Sequence, residues 1–551
     1  MSDNTFDLVI AGSGGGGMIA ALTAHHHGLK PLILEKDKYF GGTTARSGGV
    51  LWVPQNRHMA GDGVTDSEAG ARAYLERIVD GNASVERQHA FVEYAPQMID
   101  FLEEQTEVRM QSMPGYADYY PEWEGGKNGS RCIEARVFNG KKLGRLLDDM
   151  NPTIWEFADD YRMTGVEFHR IAMVRTSWRG KWTALKVGLR MGLDKLTFRK
   201  RLTMGNSLSA MLAYSLQKAG IPMWLNTRVD DLIVEDGKVV GVKAVRAGQK
   251  IDLRASKGVL FATGGFPHNQ ALRDRYHPPT STSAWSLAHK GNTGDGITIA
   301  ERHGAQLALM DEAWWGPMSI LPGGTPFFHI SERALPGSIM VNKDGHRFLN
   351  EAQPYNELVQ EIHRQHQLGK STIPAYFITD HRFRKHYAFG LMRAGKPGAT
   401  YRDSAYVVSA PTLEALAEKV GIHPENLRQT VAEHNAVAVQ GKDTRFGKGD
   451  SVYDRRFGDP SVRPNPCLAP LSTPPYYCSL MYPGDIGTKG GILTDEFARV
   501  LTTDGRVLEG FYATGNTTAS VMGRSYPGAG ATIAASMTFG FVAVKHMVGA
   551  L

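Results

Sequence analysis

Residues 6–35 constrain this chain more than any other stretch. Phe6-Asp7-Leu8-Val9-Ile10-Ala11 is a short apolar run with a β-branched centre, and it leads straight into Gly12-Ser13-Gly14-Gly15-Gly16-Gly17. A helical stretch from Met18 to His27 follows, and Pro31-Leu32-Ile33-Leu34 reads as a second strand ending on Glu35. Strand, glycine turn, helix, strand and acid at this spacing predict a dinucleotide-binding βαβ unit. Gly12 permits the tight turn, Gly14 with Gly15 beside it lets backbone approach a pyrophosphate, and Gly17 lets the helix pack closely on the strand. The free N–H groups and dipole of the helix N-terminus favour the anion. Glu35 is placed to accept hydrogen bonds from ribose hydroxyls.

A chain of 551 residues exceeds one ordinary core, so more than one domain is expected. Its 62 glycines suit backbone that lies along an extended cofactor. Cys132, Cys467 and Cys478 form no CxxC pair and no zinc spacing, which points to a reducing compartment, no disulfide framework and no metal site. No basic leader and no bilayer-length apolar run is found, so a cytoplasmic location is expected. A formal charge of +6 is mild at this length and does not call for nucleic acid. The basic residues are concentrated between Arg162 and Arg201, interleaved with Val174, Trp178, Trp182, Leu185, Leu189, Leu193 and Leu196 at helical spacing. Such a helix can lie on an anionic membrane surface; the favoured expectation is that the apolar stripe packs on its own domain, with peripheral contact to the inner face of a membrane left open.

Further along, Ser207 to Ala219 reads as a helix, and Asp231 to Val234 and Val239 to Val245 as a hairpin around Asp236-Gly237. The run Lys257 to Gly265 and the run Gly510 to Ala513 are strands that both end in Ala-Thr-Gly, at Gly264 and Gly515, which suggests repeated close passage by one cofactor. The stretch 289–487 is rich in aromatics and prolines and lacks a nucleotide signature. The fold class is therefore α/β: a discontinuous Rossmann-like domain over 1–288 and 488–551, with an inserted α+β catalytic domain over 289–487.

Near the C-terminus, Ser525-Tyr526-Pro527-Gly528-Ala529-Gly530 places a phenol beside backbone that can turn tightly. Pro527 and Gly528 fit the two corners of a type II turn, Tyr526 offers an O–H donor and Gly530 an unshielded N–H. Two donors aimed at one ketone oxygen would stabilise an enolate. Taken alone, the six residues are better read as a glycine-rich turn with a structural tyrosine.

Together these segments resemble the fumarate reductase and succinate dehydrogenase flavoprotein superfamily, and within it the 3-ketosteroid dehydrogenases. The resemblance is carried by Gly41-Gly42-Thr43-Thr44-Ala45-Arg46-Ser47-Gly48-Gly49, Asn292-Thr293-Gly294-Asp295-Gly296, Glu332-Arg333-Ala334-Leu335-Pro336-Gly337, Pro483 to Thr488 and Ala513-Thr514-Gly515-Asn516. It implies FAD as cofactor, with Gly42, Thr43, Thr44, Ser47, Gly48 and Gly49 beside the flavin ring and Gly264, Asp295, Gly515 and Asn516 also at the cofactor. It also implies Tyr526 and Gly530 at a steroid C3 carbonyl, with Tyr119 as a second active-site tyrosine. Δ4-(5α) enzymes of the group carry serine two residues after the tyrosine; Gly528 stands there, so Δ1 desaturation is expected.

One departure stands out. The tyrosine base of the Δ1 enzymes is expected shortly before the Glu-Arg-x-Leu-Pro-Gly run, where this sequence has Phe327, which cannot accept a proton. Either that correspondence slips, or Tyr119, Tyr120 or His329 serves as base, or the reaction differs. Trp314, Trp315, Met318, Phe327 and Phe328 line an apolar slot or form core. The resulting expectation is a steroid Δ1-dehydrogenase passing electrons to an acceptor such as a quinone. The alternatives are Δ4-(5α) desaturation, desaturation of an oxocyclohexane acid, or a flavin-binding electron-transfer protein without catalysis.

Overall fold

The computed structural model describes residues 5–154, 162–197, 199–395 and 404–551. The N-terminal strand Thr5–Ala11 lies in the middle of an eight-stranded sheet, parallel to Pro31–Leu34 on one side and to Gln249–Phe261 on the other. The sheet continues outward from Pro31–Leu34 to Met223–Trp224, and from Gln249–Phe261 to Val507–Ala513 and Arg499–Leu501. Gln249–Phe261 is longer than the sequence suggests because its two halves do different work. Its first half pairs antiparallel with Lys238–Arg246, and its second half pairs parallel with the N-terminal strand. Lys238–Arg246 forms the expected hairpin with Thr227–Glu235, turning through Asp236 and Gly237, both at positive φ.

The glycine turn does what its spacing requires. Gly12 has φ +105°, and a Cβ there would sit 2.2 Å from the Ala262 carbonyl oxygen; a Cβ on Gly17 would sit 2.0 Å from the Gly12 oxygen. The helix Gly15–His26 can therefore lie against the strand only because both residues are bare. The C-terminal helix Ala531–Met547 packs on that helix at another glycine contact, where a Cβ on Gly540 would meet the Gly16 oxygen at 2.4 Å. By this packing the last residues of the chain are seated beside the first turn.

A second, six-stranded sheet takes all its strands from residues 313–488. Ala313–Ile320 and Ala375–Asp380 flank the long Tyr476–Thr488, with Pro326–Phe328 and Ser338–Val341 outside them and Val408–Ala410 paired directly with the start of the long strand. The helix Tyr355–Gln367 packs on Ala313–Ile320, and its buried residues Leu358, Val359 and Ile362 share a core with Trp315 and Phe377. The two sheets meet at one cleft.

The basic helix departs from expectation. It spans Trp178–Leu196, and only Gly180, Thr183 and Val187 are buried. Trp178, Trp182, Leu185, Leu189, Leu193 and Leu196 face outward, with Trp178 and Leu196 nearly four-fifths exposed. The small residues on the opposite face make the packing contact instead, and Arg190 holds the helix by ion-pairing with Glu167 at 2.6 Å. Among the described residues no helix is long and apolar enough to cross a membrane.

Candidate active site

One continuous cleft runs from the glycine turn to the Tyr526 segment. It is lined at one end by Gly12, Gly14, Gly15, Glu35, Asp295 and Gly264, along its middle by Gly42, Thr43, Thr44, Ser47, Gly48, Gly49, Gly515 and Asn516, and at the other end by Tyr119, Tyr355, Tyr526 and Gly530. Gly17 lies behind the wall, as its packing role requires.

At the glycine end, the helix Gly15–His26 begins without a side-chain cap or an acidic residue in its first turn, and the Gly15 N–H reaches Thr44 Oγ1 at 3.1 Å. A Cβ on Gly14 would make only an ordinary contact, with Thr44 Oγ1 at 3.7 Å. This is backbone laid bare for an anionic group. Glu35 takes hydrogen bonds from the Ser13 hydroxyl at 2.6 Å, the Ser13 N–H at 3.1 Å and the Asp37 N–H at 3.0 Å. Burial raises its pKa, while these donors oppose the shift. Lys36 binds Asp295 at 2.6 Å, closing the same end. Thr43 accepts from the His289 N–H at 3.0 Å and from Asn292 Nδ2 at 2.9 Å, and Asn516 accepts from Trp314 Nε1 at 3.1 Å. These residues fit a bound FAD: uncovered N–H groups for the pyrophosphate, an oriented carboxylate for the ribose, and glycines wherever the wall must be flat.

The far end is built from tyrosines. Tyr526, Tyr355 and Tyr119 have ring centroids 5.1–5.5 Å apart in every pairing, and Tyr453 packs on Tyr119 at 4.9 Å. Trp314 backs Tyr526 at 4.7 Å, and Phe328 meets Tyr355 at 4.9 Å. Thr532 donates to the Tyr526 hydroxyl at 3.1 Å, leaving its proton directed elsewhere. Burial raises the Tyr526 pKa, opposed by Thr532, Tyr355 and the Gly530 N–H, so the phenol is a neutral donor at pH 7. Tyr355 is held well above the ordinary phenol value, first by burial and then by Tyr526, with Tyr119 opposing. The Tyr119 hydroxyl is buried and makes no well-formed hydrogen bond, so it too is available to a guest in the cleft.

Each tyrosine is fixed from outside the cleft. The Pro527 carbonyl accepts from the Tyr119 N–H at 3.0 Å and the Tyr74 hydroxyl at 2.8 Å, tying the Tyr119 segment to the Tyr526 segment. Asp118, next to Tyr119, is held by Trp52 Nε1 and Arg131, each at 2.7 Å. The turn itself differs from expectation. Gly528 is not at positive φ; Gly530 is, at +91°, where it caps the C-terminal helix. Gly528 is required for room, because a Cβ there would lie 2.3 Å from Trp52 Cδ1.

The place assigned to the base also moves. Phe327 packs against His329 outside the cleft. His329 is fully buried, bonded to Ser319 at 2.6 Å and stacked on Phe389, so it has no access to a substrate. Tyr120 stacks on Trp123 and does not line the cleft. Tyr355 lines the cleft beside Tyr526 and Tyr119, and it follows the Glu332–Gly337 run in sequence instead of preceding it. Its only local signal is the Pro354 that opens its helix. Of the expected apolar slot, Phe328 alone lines the cleft, while Trp314, Trp315, Met318 and Phe327 are packed behind it.

The sequence profile of the FAD binding domain family matches residues 7–533. The chain is 42% identical over 558 aligned positions to a 3-oxosteroid 1-dehydrogenase of Mycobacterium tuberculosis, covering 99% of both. The chain belongs to the FAD-dependent 3-ketosteroid Δ1-dehydrogenase family. A solved member, the 3-ketosteroid Δ1-dehydrogenase from Sterolibacterium denitrificans in complex with 1,4-androstadiene-3,17-dione, superposes with a TM-score of 0.94 at 38% identity over 100% of both chains. A 4-oxocyclohexanecarboxylate 2-dehydrogenase of Sinomonas cyclohexanicum is 35% identical, covering 99% of this chain and 93% of its own length. Membership makes this an FAD-dependent oxidoreductase of discontinuous α/β architecture.

Proposed function

We propose that the protein desaturates the C1–C2 bond of 3-ketosteroids, with Tyr526, Gly530, Tyr355 and Tyr119 carrying the proton chemistry. The observation that carries this reading is the convergence of three buried tyrosines and a bare glycine amide at the end of a cleft whose other end fits FAD. Tyr526 O–H and Gly530 N–H hold the C3 carbonyl oxygen and stabilise the charge that builds there as C2 loses its proton. Tyr355 accepts that proton, and the Tyr119 hydroxyl supports the resulting charge. When bound, FAD supplies the two-electron acceptor for the hydrogen that leaves C1 with its electron pair. The closed, tyrosine-walled end orients the ring and keeps water from the enolate.

The lining favours an apolar substrate. Beside the tyrosines and glycines, the apolar residues of this part of the wall include Ile154, Leu287, Phe328, Ile330, Ile486 and Ile533, with Thr532 as a polar neighbour of Tyr526. Of the charged lining residues, Glu35, Lys36, Arg228 and Asp295 belong to the nucleotide end and Arg46 to the middle stretch Gly42–Gly49. A small acid of the kind named for the Sinomonas relative would find no cation among these tyrosines. Gly528 supports Δ1 over Δ4-(5α) specificity, since a serine there would collide with Trp52.

The exposed apolar stripe of Trp178–Leu196, flanked by Arg179, Lys181, Lys186, Arg190 and Lys195, supports peripheral contact with an anionic membrane. A bilayer would also supply a lipid-soluble electron acceptor such as a quinone. We place the catalytic insertion at 289–487 because the second sheet draws its strands from this stretch up to Thr488. The decisive experiment is anaerobic addition of 4-androstene-3,17-dione to flavin-loaded protein. Bleaching of the oxidised flavin, with a 1,4-diene as product, is expected; no bleaching with any 3-ketosteroid would overturn the reading.

A further inference from the structure

We infer that Lys489 is a positioning residue that sets the spacing between Tyr355 and Tyr526, an inference that rests on the dehydrogenase reading above. Lys489 immediately follows the long strand Tyr476–Thr488, and its side chain is fully buried. Lysine is almost never buried without an opposite charge beside it. Here the ammonium donates to three neutral acceptors: Asn356 Oδ1 at 3.0 Å, the Arg524 carbonyl at 2.7 Å and the Ser525 carbonyl at 2.9 Å. Three donors meet three acceptors, so the group is saturated.

The identity of those acceptors gives the inference its content. Asn356 is the residue after Tyr355, and the Ser525 carbonyl belongs to the peptide bond that leads into Tyr526. One ammonium therefore bridges the proton acceptor and the carbonyl clamp, which reach the cleft on a helix and a loop more than 150 residues apart in sequence. The same nitrogen lies 4.8 Å over the Trp314 ring, and Trp314 is the side chain packed behind Tyr526. Asn356 Nδ2 and Gln360 Nε2 also donate to the Arg524 carbonyl, at 3.2 and 2.9 Å, so the bridge is braced on both sides. Stability does not account for a charge here. Burial pushes the Lys489 pKa down to about 8, against the pull of Glu312 and Glu357, and Arg524 lowers it further. An apolar side chain of similar length would avoid that cost. What such a side chain would lack is the bridge.

The test uses full-length, flavin-loaded Lys489→Met. Misplacing reacting groups by about 1 Å costs roughly 100-fold in rate, so kcat should fall by about 30- to 100-fold while KM for 4-androstene-3,17-dione stays within about threefold. The flavin spectrum should stay close to wild type, and the thermal midpoint should fall only modestly, because methionine leaves the Asn356 Oδ1 and the Ser525 carbonyl without this donor. In a Tyr526→Phe background the same substitution should cost less than about threefold, because the group it positions is gone. Wild-type kcat in a folded Lys489→Met protein, or full multiplicative losses in the double variant, would overturn the inference. If Lys489→Met does not retain flavin, Asn356→Ala removes one of the three acceptors and decides the matter by the same split of kcat from KM. Failure of the wild-type protein to reduce its flavin would instead overturn the underlying dehydrogenase reading.

Discussion

A phenol that must accept a proton is poorly served by burial. Tyr355 sits where desolvation disfavours its anion, and the Tyr119 hydroxyl is the neighbour that opposes this. At neutral pH Tyr355 is protonated, so kcat/KM should rise with pH above neutrality as the anionic fraction grows, and Tyr119→Phe should move that rise to higher pH. Tyr355→Phe should lower turnover by roughly three orders of magnitude, the middle of the range for a general base, and Tyr526→Phe by roughly two, for one oxyanion donor. A flat wild-type profile from about pH 6 to about pH 9 would count against Tyr355 as the base. Tyr526, Gly530 and Tyr119 were legible in the sequence because short motifs surround them. Tyr355 was not, because its neighbours carry no motif and its place depends on how a distant helix is docked.

At the level of elements, the helix Trp178–Leu196 inverts the usual rule by turning Gly180, Thr183 and Val187 inward and its tryptophan and leucine stripe outward. Its amphipathic period was plain from sequence. Period alone gives a stripe but not the direction it faces, and only the docking surface decides that. With the stripe outward and the flanks basic, the protein should cosediment with vesicles containing anionic phosphatidylglycerol, and less so as salt is raised. Replacing Trp178, Leu189 and Leu196 by serine should reduce binding by about tenfold or more without changing flavin content, since each buried apolar side chain contributes on the order of 1.5 kcal/mol or more. Equal cosedimentation of the triple variant would remove this helix from any membrane role.

Across the whole molecule, the second sheet is anchored by a buried charge cluster in which Glu351 meets Arg347 at 2.7 Å and Lys448 at 3.3 Å, and Arg347 also meets Asp443 at 2.7 Å. Although burial pushes the other way, Arg347 and Lys448 hold the Glu351 carboxyl down to about 2. Because the folded pKa lies below the unfolded one, the stability this group contributes is fully present above the ordinary carboxylate range and is lost as pH falls toward 2. The thermal midpoint should therefore drop steeply in acid, and Glu351→Gln should lower it at pH 7 and flatten the acid limb; an unchanged slope would clear this cluster. The sequence by itself determined the dinucleotide half of the protein, because strand, turn and helix lie within one continuous segment and each glycine answers to its own neighbours. It also placed Tyr526 and Gly530 together, since they are four residues apart. Only the tertiary structure decided the placement of Tyr355 in the cleft, the outward face of the basic helix and the reason for Gly528. These depend on contacts between residues far apart in the chain: Tyr355 against Tyr526, Val187 against the domain surface and Gly528 against Trp52. No local pattern encodes which distant surface a side chain will meet.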